Sequence, residues 1–352
     1  MNLLVLNHGS TTLKAALYKN FNGSYQLPFS KGSDFLTFDL KQIDAICHRI
    51  VHGGAFFEKP VFINSEVKEK LVELTKLAPL HGEAELKGIN LTKTLFKNKP
   101  QIAVFDTSFH KTLKKEAFIY PGPYSWFESG IRKYGFHGIS FQYCTKKIAL
   151  LLKDMPPKMV ICHLGGGSSL CGVKDGYSID TTMGFTPLEG LMMDTRSGSV
   201  DPGILLHLLE KMPKETLSHA LFYESGLLGI SGISHEMKAL LENPSERAKL
   251  AIDIYLHKLI THIGSMIASL EGIDALVFTG GIGENSPLIR ERACKAFSFL
   301  GLTLDSSKNS ISSEEDRVIS SNSSKVKVVI IHTDEAYEIA YESYSLLTLS
   351  NK

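Results

Sequence analysis

Two arginines stand at positions where their charge can bind an anion. Arg49 lies among apolar residues just before the pair Gly53-Gly54, and Arg196 lies in the small polar turn 194–198. A partly buried guanidinium requires an anionic partner, because it stays charged and matches carboxylate or phosphate oxygens. For Arg49 that partner is either a structural carboxylate or a substrate. For Arg196 the ordinary alternative is a solvated surface position.

Two carboxylates and a histidine stand at similar positions. Asp106 follows the apolar run 101–105, His137 lies between the glycines of 135–138, and Glu335 opens the last predicted helix. Carboxylates at strand ends of α/β proteins often face the ligand crevice. Each residue also has an ordinary interpretation: a turn cap for Asp106, a surface histidine for His137, and a first-turn acid that complements the helix dipole for Glu335.

Three segments are rich in glycine and small polar residues: 9–12, 165–169 and 280–285. Such residues let backbone N–H groups approach an anion closely, and a following helix adds positive potential. One such segment is usually only a turn, but three in one chain favour a phosphate-rich ligand. The P-loop pattern does not occur, and no Gly-x-Gly-x-x-Gly follows a strand as a dinucleotide site requires.

These parts together suit phosphoryl transfer. That reaction needs backbone groups around the phosphates, cations near the transferring group, and carboxylates that hold Mg²⁺ or its waters. The sequence supports no Ser-His-Asp or Cys-His catalytic arrangement as well as it supports phosphoryl transfer.

The elements that must position these residues show a repeat. Residues 2–6 and 13–18 form a predicted strand–turn–strand hairpin, and a similar hairpin recurs at 159–164 and 170–173. The recurrence predicts two similar domains, each opening with a small-residue turn.

Helical and strand patterns alternate elsewhere, which predicts α/β layers. Helices are expected after Asn64-Ser65, along the apolar stripe from Ile252 to Leu270, from Pro287, and after Thr333. Strands are expected at 101–105, 275–278 and 325–331, and the Ser-rich stretch 306–324 is expected to be a surface loop. His48 and His52 have metal-site spacing for a helix, but Ile50, Val51 and the following glycines predict a strand end.

Composition excludes several classes of protein. The 352 residues carry a formal net charge of +1, with 43% hydrophobic and 21% charged residues. This balance argues against nucleic-acid binding, a basic membrane-binding tail and disorder. No apolar run approaches the ~20 residues of a membrane span, and residues 1–6 are too short for a signal-peptide core. Five widely spaced cysteines without Cys-x-x-Cys predict reduced thiols in the cytoplasm, and the length favours two domains.

In these residues the chain resembles the acetate kinase family, within the sugar kinase, heat-shock-70 and actin superfamily. The resemblance covers nearly the whole chain and rests on the motifs Asn7-x-Gly9-Ser10 with Lys14, 48–54, 105–110, 132–138, 183–193 with 195–198, and 278–286.

The resemblance implies a duplicated actin-like, ribonuclease H-like ATPase fold. It implies an N-terminal domain of residues 1–146 plus 336–352, a C-terminal nucleotide-binding domain of residues 147–335, an active-site cleft between the domains, and a homodimer. The implied reaction is reversible, Mg²⁺-dependent (Mn²⁺ possible) transfer of the ATP γ-phosphoryl to acetate, giving acetyl phosphate and ADP by in-line displacement. A propionate or butyrate kinase of the same family, or a non-catalytic nucleotide-binding member of the superfamily, are the alternatives.

The resemblance also assigns residues to roles. The implied catalytic residues are Asp106, Arg49, His137 and Arg196, and the implied metal-binding residues are Asn7 and Glu335. The substrate and its methyl group are assigned to Arg49, Val51, Leu80, Phe136 and Pro187. The nucleotide is assigned to Lys14, His163, Leu164, Gly165, Gly166, Gly167, Glu236, Met237, Lys238, Gly281, Ile282, Gly283, Glu284 and Asn285.

Several residues depart from the family pattern, with Glu236 and Lys238 as conservative changes. Gly166 replaces an Asn, Gly82 begins a replacement of Asn-Pro, Phe141 replaces a His, and Asp194 replaces a Gly beside the Arg196 turn. Asp194 adds negative charge near the expected anion site, where it would either weaken phosphate binding or pair with Arg196.

Overall fold

The computed structural model describes residues 1–8, 13–77 and 81–350. The chain divides into two compact units. Unit 1 comprises residues 1–111, 136–143 and 334–352, and unit 2 comprises residues 112–135 and 144–333.

Unit 1 is built on a mixed sheet that has six strands over the described residues. Their order is β3 (Ser30–Gly32), β2 (Leu13–Tyr18), β1 (Leu3–His8), β4 (Ala45–Ile50), β6 (Gln101–Phe105) and β5 (Val61–Phe62). The central strands β1, β4 and β6 run parallel, and β2 pairs antiparallel with β1. Their side chains alternate between the two faces of the sheet. Leu3 and Val5 pack in one cluster with Ile339 of the last helix, while Leu4 and Leu6 belong to a different cluster.

The strands and helices of unit 1 begin and end as follows. The strands are β1 (Leu3–His8), β2 (Leu13–Tyr18), β3 (Ser30–Gly32), β4 (Ala45–Ile50), β5 (Val61–Phe62) and β6 (Gln101–Phe105). The helices are α1 (Ser65–Leu74), α2 (Gly82–Leu95) and α14 (Glu335–Ser350), and α5 (Gly138–Leu152) begins in this unit.

Unit 2 repeats this arrangement. Its sheet, as far as the structure describes it, has the order β11-β12-β10-β7-β8-β9. Strands β12, β10 and β7 are parallel, and β8 pairs antiparallel with β7 as β2 does with β1. Taken from its other edge, the sheet of unit 2 has the order β9-β8-β7-β10-β12-β11, which matches the sheet of unit 1 strand for strand in position and direction. The predicted duplication is therefore confirmed.

The elements of unit 2 have these bounds. The strands are β7 (Lys158–Leu164), β8 (Ser168–Lys174), β9 (Tyr177–Thr181), β10 (Ala275–Thr279), β11 (Arg317–Val318) and β12 (Lys327–Ile330). The helices are α3 (Lys115–Phe118), α4 (Tyr124–Glu128), α6 (Pro202–Leu209), α7 (Lys214–Tyr223), α8 (Gly226–Ser231), α9 (Met237–Glu242), α10 (Glu246–Leu270), α11 (Gly280–Asn285), α12 (Pro287–Lys295) and α13 (Ser306–Ser310).

The helix signals of the sequence are confirmed. The Asn64 side chain accepts a hydrogen bond from the Val67 amide and caps α1. The apolar stripe from Ile252 to Leu270 is the buried face of α10. Pro287 occupies the first turn of α12, where its missing N–H has no cost.

The expectation of a surface loop at 306–324 is wrong in part. The stretch contains α13 and β11, and Asn309 is buried. Asn309 accepts hydrogen bonds from the buried Arg290, through its side-chain oxygen at 2.8 Å and its carbonyl at 2.7 Å. A buried guanidinium must find acceptors, and a polar segment supplies them here.

Candidate active site

Arg49, at the end of β4, is the centre of a buried polar network in unit 1. Its Nε donates to Asp106 Oδ1 at 3.1 Å, and its Nη2 donates to Asp106 Oδ2 at 2.5 Å. Its Nη1 donates to the Asn7 Oδ1 at 3.0 Å. Arg49 and Asn7 are nearly inaccessible to solvent, and Asp106 is fully buried.

The register of the sheet brings these residues together. β4 lies between β1 and β6, with Leu6 opposite His48 and Ile50 opposite Phe105. Asn7, Arg49 and Asp106 therefore lie at the carboxyl ends of three adjacent parallel strands. Ligands of open α/β sheets bind outside this edge.

Glu335, the first residue of α14, joins the network through Asn7. The Asn7 Nδ2 donates to Glu335 Oε2 at 2.8 Å. Lys14 lies opposite Asn7 in the β1–β2 register, with its side chain exposed. The turn 9–12 that connects the two strands lies outside the described residues.

Asn7 and Glu335 carry an amide and a carboxylate oxygen, the hard oxygen donors that magnesium prefers. Mg²⁺ in proteins takes one or two carboxylate or amide oxygens and completes its shell with waters and substrate phosphates. Over the ranges that the structure covers, His, Cys, Asp and Glu do not gather in a group of three or more able to hold a metal. An ion held by these two side chains alone would complete its shell with waters and substrate phosphates.

The charges of the network support one another. Burial disfavours the charged form of Arg49, but the carboxylates of Asp106 and Glu335 outweigh this effect and raise its pKa. Burial raises the pKa of Asp106, and the Arg49 guanidinium and the His137 backbone N–H oppose that rise. The result is a guanidinium held as a fixed positive charge.

His137 is positioned by an unusual backbone conformation. Its φ is +56°, in the left-handed region that few residues other than glycine adopt. The following residue, Gly138, donates its N–H to the Asp106 carbonyl at 2.8 Å as α5 begins. This turn therefore places His137 directly beside the Asp106 segment.

The structure describes three of the four residues that are assigned to the substrate methyl group. Val51 and Phe136 are both buried in unit 1. Pro187, in unit 2, is buried, and its carbonyl accepts a hydrogen bond from Arg196 Nη1 at 2.9 Å. Leu80 lies outside the described residues.

In unit 2 the turn 165–167 joins β7 to β8. Gly165 N–H donates to the Gly167 carbonyl at 3.2 Å, and the Ser168 hydroxyl donates to the Gly165 carbonyl at 3.0 Å. These bonds fix a tight turn whose middle residue, Gly166, is exposed. His163 and Leu164 are the last two residues of β7.

The turn lies beside the start of α11. β10 pairs with β7 so that Thr279 is opposite His163. Gly280 has φ +77°, and a Cβ there would lie 2.7 Å from the Leu164 carbonyl oxygen, so glycine is required. The structure thus brings together two of the three predicted glycine-rich segments.

The remaining residues assigned to the nucleotide differ in their contacts. Glu284 Oε1 accepts the Gly280 N–H at 2.8 Å, so this carboxylate stabilises the strand–helix junction. Asn285 Nδ2 donates to the Gly281 carbonyl. At the start of α9, Glu236 and Lys238 are exposed and Met237 is buried. Within α11, Gly283 is buried, and Ile282 packs against the hydrophobic core of this unit.

Sequence reasoning missed Glu85, which the structure buries in α2 beside the network. Glu85 Oε1 accepts the Val51 N–H at 3.0 Å, and burial raises its pKa to about 8. The signal was its helical spacing: Gly82, Glu85 and Ile89 lie on the buried face of α2. A carboxylate on such a face is informative, because it is rarely fully buried without a partner.

Comparison with known proteins gives one consistent family. The family model described as the Acetokinase family matches residues 29–341. An acetate kinase of Trichormus variabilis is 47% identical over 350 residues, which cover 96% of this chain and 86% of that protein.

Solved structures agree at the level of the fold. The crystal structure of Porphyromonas gingivalis acetate kinase matches with a TM-score of 0.87 at 34% identity, covering 98% of this chain and 99% of that one. The crystal structure of a propionate kinase from Francisella tularensis matches with a TM-score of 0.87 at 36% identity, covering 97% and 98%. The predicted duplicated actin-like fold is therefore confirmed, and the chain belongs to the acetokinase family.

Proposed function

We propose that this protein catalyses reversible phosphoryl transfer from ATP to acetate, giving acetyl phosphate and ADP. Family membership supports this phosphotransferase activity. The observation that carries it is the buried network in which Asp106 and Asn7 fix the Arg49 guanidinium at the carboxyl edge of the sheet. An acid kinase needs such a fixed cation, because both of its substrates are anions.

The proposed reaction needs little acid–base catalysis. A carboxylate acceptor is ionised at neutral pH, so no general base has to remove a proton. What remains is orientation and neutralisation of charge in the transition state. Arg49 would bind the acetate carboxylate and the transferring phosphoryl group, and Asp106 would hold the guanidinium in place.

Residues of both units contribute to the proposal. His137 would donate a hydrogen bond to the equatorial oxygens of the transferring group, and Arg196 would supply a second positive charge. Val51, Leu80, Phe136 and Pro187 would surround the methyl group. Lys14 and residues 163–167, 236–238 and 281–285 would bind the nucleotide.

Asn7 and Glu335 would hold Mg²⁺, with Mn²⁺ as the alternative. When bound, the ion supplies neutralisation of the phosphate charge that develops as the γ-phosphoryl group leaves ADP. The hydrogen bond from Asn7 to Glu335 keeps the two side chains together.

The acceptor is tested by trapping acyl phosphate as its hydroxamate, with acetate, propionate and butyrate in parallel. We expect the highest kcat/KM for acetate, although one methylene changes binding by only about 1–3 kcal/mol. Equal or better use of propionate or butyrate would reassign the acceptor. Formation of no hydroxamate from any of them would favour a non-catalytic nucleotide-binding protein.

The role of Arg49 is tested with Arg49→Lys. Lysine keeps the charge but loses the planar set of donors that reaches Asp106 and Asn7 together, so kcat should fall by about 100-fold or more. Arg292→Lys, in an exposed ion pair with Asp253, is the matched control and should retain its rate. An Arg49→Lys enzyme with wild-type kcat would refute the role.

We also propose a homodimer in the cytoplasm. The cytoplasmic location is supported by five buried cysteine thiols, as expected in a reducing compartment. In the described part of the chain, every helix falls short of the length or apolarity of a membrane span. The homodimer is supported by α6, an apolar helix none of whose residues is buried.

A further inference from the structure

A carboxylate lies against the glycine-rich turn of unit 2. Asp194 Oδ2 is 3.1 Å from the position that a Cβ atom on Gly166 would take. The Asp194 N–H donates to the Gly166 carbonyl at 3.3 Å. Asp194 therefore packs on the turn through both its backbone and its side chain, in the space that a side chain at position 166 would enter.

The backbone of Asp194 is also held from α8. Leu228 N–H donates to the Asp194 carbonyl at 2.9 Å. Gly226 has φ +61°, and a Cβ there would lie 3.0 Å from the Asp194 carbonyl carbon. With the turn bonded on one side and α8 on the other, the Asp194 backbone cannot shift away from Gly166 without breaking hydrogen bonds.

The titratable and charged groups around Asp194 come from several elements. Arg196 is on its own loop, His235 and Glu236 precede α9, and Tyr255 is on α10. Burial raises the pKa of Asp194 to about 6, with His235 and Arg196 opposing the rise and Glu236 adding to it. The Asp194 carboxyl group therefore changes its charge near pH 6, where nucleotide binding can be measured.

We propose that Asp194 is a positioning residue of the nucleotide site that also limits its affinity: it supports the turn by packing, and its negative charge opposes the nucleotide phosphates. The inference rests on the proposed function in one respect, that residues 165–167 contact those phosphates. An anion on the turn favours the protonated carboxyl group, so nucleotide binding is linked to proton uptake by Asp194.

The sign of the effect follows directly. Well below pH 6 Asp194 is neutral and does not oppose the phosphates. Above pH 6 the carboxylate must either stay charged beside them or take up a proton, so nucleotide affinity falls as the pH rises. Removing the charge while keeping the shape should therefore strengthen binding, the reverse of the usual effect of a mutation in a binding site.

The experiment measures ADP binding by calorimetry from about pH 5 to about pH 8, with wild-type protein, Asp194→Asn and Asp194→Gly. Asp194→Asn should bind ADP about three- to tenfold more tightly than wild type at pH 8 and equally at pH 5. Titrations in buffers of different ionisation enthalpy should show proton uptake by Asp194 in the wild type and its loss in the variant. Protonation of ADP itself is common to all of them and cancels in the comparison.

Asp194→Gly separates packing from charge. It should lose the same pH dependence but lower the Tm, because it also removes the support of the turn. Asp175→Asn, at an exposed turn between β8 and β9, is the matched control and should behave as wild type. Its φ of +51° suits asparagine as well as aspartate.

Unchanged pH dependence in Asp194→Asn, or weaker ADP binding, would overturn the inference. A fall in kcat with unchanged ADP affinity would also overturn it, because it would show that the carboxylate acts by holding Arg196. Wild-type protein that binds ADP but forms no acetyl hydroxamate would contradict only the proposed function. Wild-type protein that binds no nucleotide would contradict both.

Discussion

At the residue scale, the two interpretations that the sequence leaves open for Arg49 are not exclusive. The structure supplies the structural carboxylate, Asp106, at 2.5 Å from Nη2. A substrate carboxylate as second partner stays a prediction. The pair is costly to bury, and removing one partner would leave an uncompensated charge worth about 3–5 kcal/mol. A buried pair of this kind holds the Arg49 guanidinium in a fixed orientation before any ligand binds.

Glu85 gives a prediction about stability and pH. Its pKa in the fold is about 8, against 4.5 for an exposed glutamate. Between these values the folded protein holds a proton that the unfolded chain releases, so stability falls as the pH rises. Glu85→Gln keeps an acceptor for the Val51 N–H and removes the titration. We expect its Tm to match that of wild type near pH 4.5 and to exceed it at pH 8, by differential scanning fluorimetry.

The exposed Glu83→Gln is the matched control, since Glu83 lies in the same helix turn. It should show the same Tm difference from wild type, close to zero, at both pH values. If Glu85→Gln is less stable than wild type at pH 8, Glu85 is ionised in the fold and Arg49 is its partner.

At the element scale, the sequence predicts those segments whose own pattern decides their structure. The mainly apolar run 101–105 forms β6, with every residue buried, and α1 begins at its predicted Asn64 cap. The segment 306–324 was predicted less well, because its structure depends on Arg290, a residue distant in sequence. Pattern reasoning reads local preference and misses such tertiary partners.

The start of α5 carries a prediction of its own. A Cβ on Gly138 would lie 2.1 Å from the Asp106 carbonyl oxygen, so Gly138→Ala must displace that strand end or break its hydrogen bond. We expect a loss of about 1–3 kcal/mol in the free energy of unfolding and a lower kcat, because Asp106 orients Arg49. Denaturant titration and the hydroxamate assay measure the two effects.

Gly264→Ala is the control for this substitution. Gly264 lies in α10, and apart from the backbone of its own helix and its chain neighbours no described atom lies within 4 Å of an added Cβ. Alanine should therefore stabilise the helix by about 0.5–1 kcal/mol. A Gly138→Ala protein as stable and active as wild type would show that the junction relaxes freely, and that its geometry does not position Asp106.

At the scale of the whole molecule, a formal net charge of +1 argues against a surface that binds a polyanion, but it does not argue against an anionic substrate. We therefore expect recognition to be local. Asn7, Asp106 and the Glu85 carboxyl group surround Arg49 and hold one positive charge at a defined place. The hairpin repeat predicted the duplicated sheets, because each sheet begins with the same antiparallel pair. The domain boundaries at 146, 147, 335 and 336 stay a prediction.

Self-association is the prediction that belongs to the molecule as a whole. In α6, Ile204, Leu206 and Leu209 are 49%, 69% and 45% exposed, and the preceding Val200 is 39% exposed. A helix whose apolar residues are exposed in this way marks an interaction surface, since isolated chains rarely expose contiguous apolar patches. A second copy of the chain is the simplest occupant for a homodimer.

Sedimentation velocity should therefore give twice the chain mass for wild type and a shift toward the chain mass for Leu206→Glu. Leu250→Glu, at an exposed position on α10, should remain dimeric. A Leu206→Glu protein that sediments as wild type would place the interface elsewhere, and a monomeric wild type at assay concentrations would remove the homodimer from the proposal.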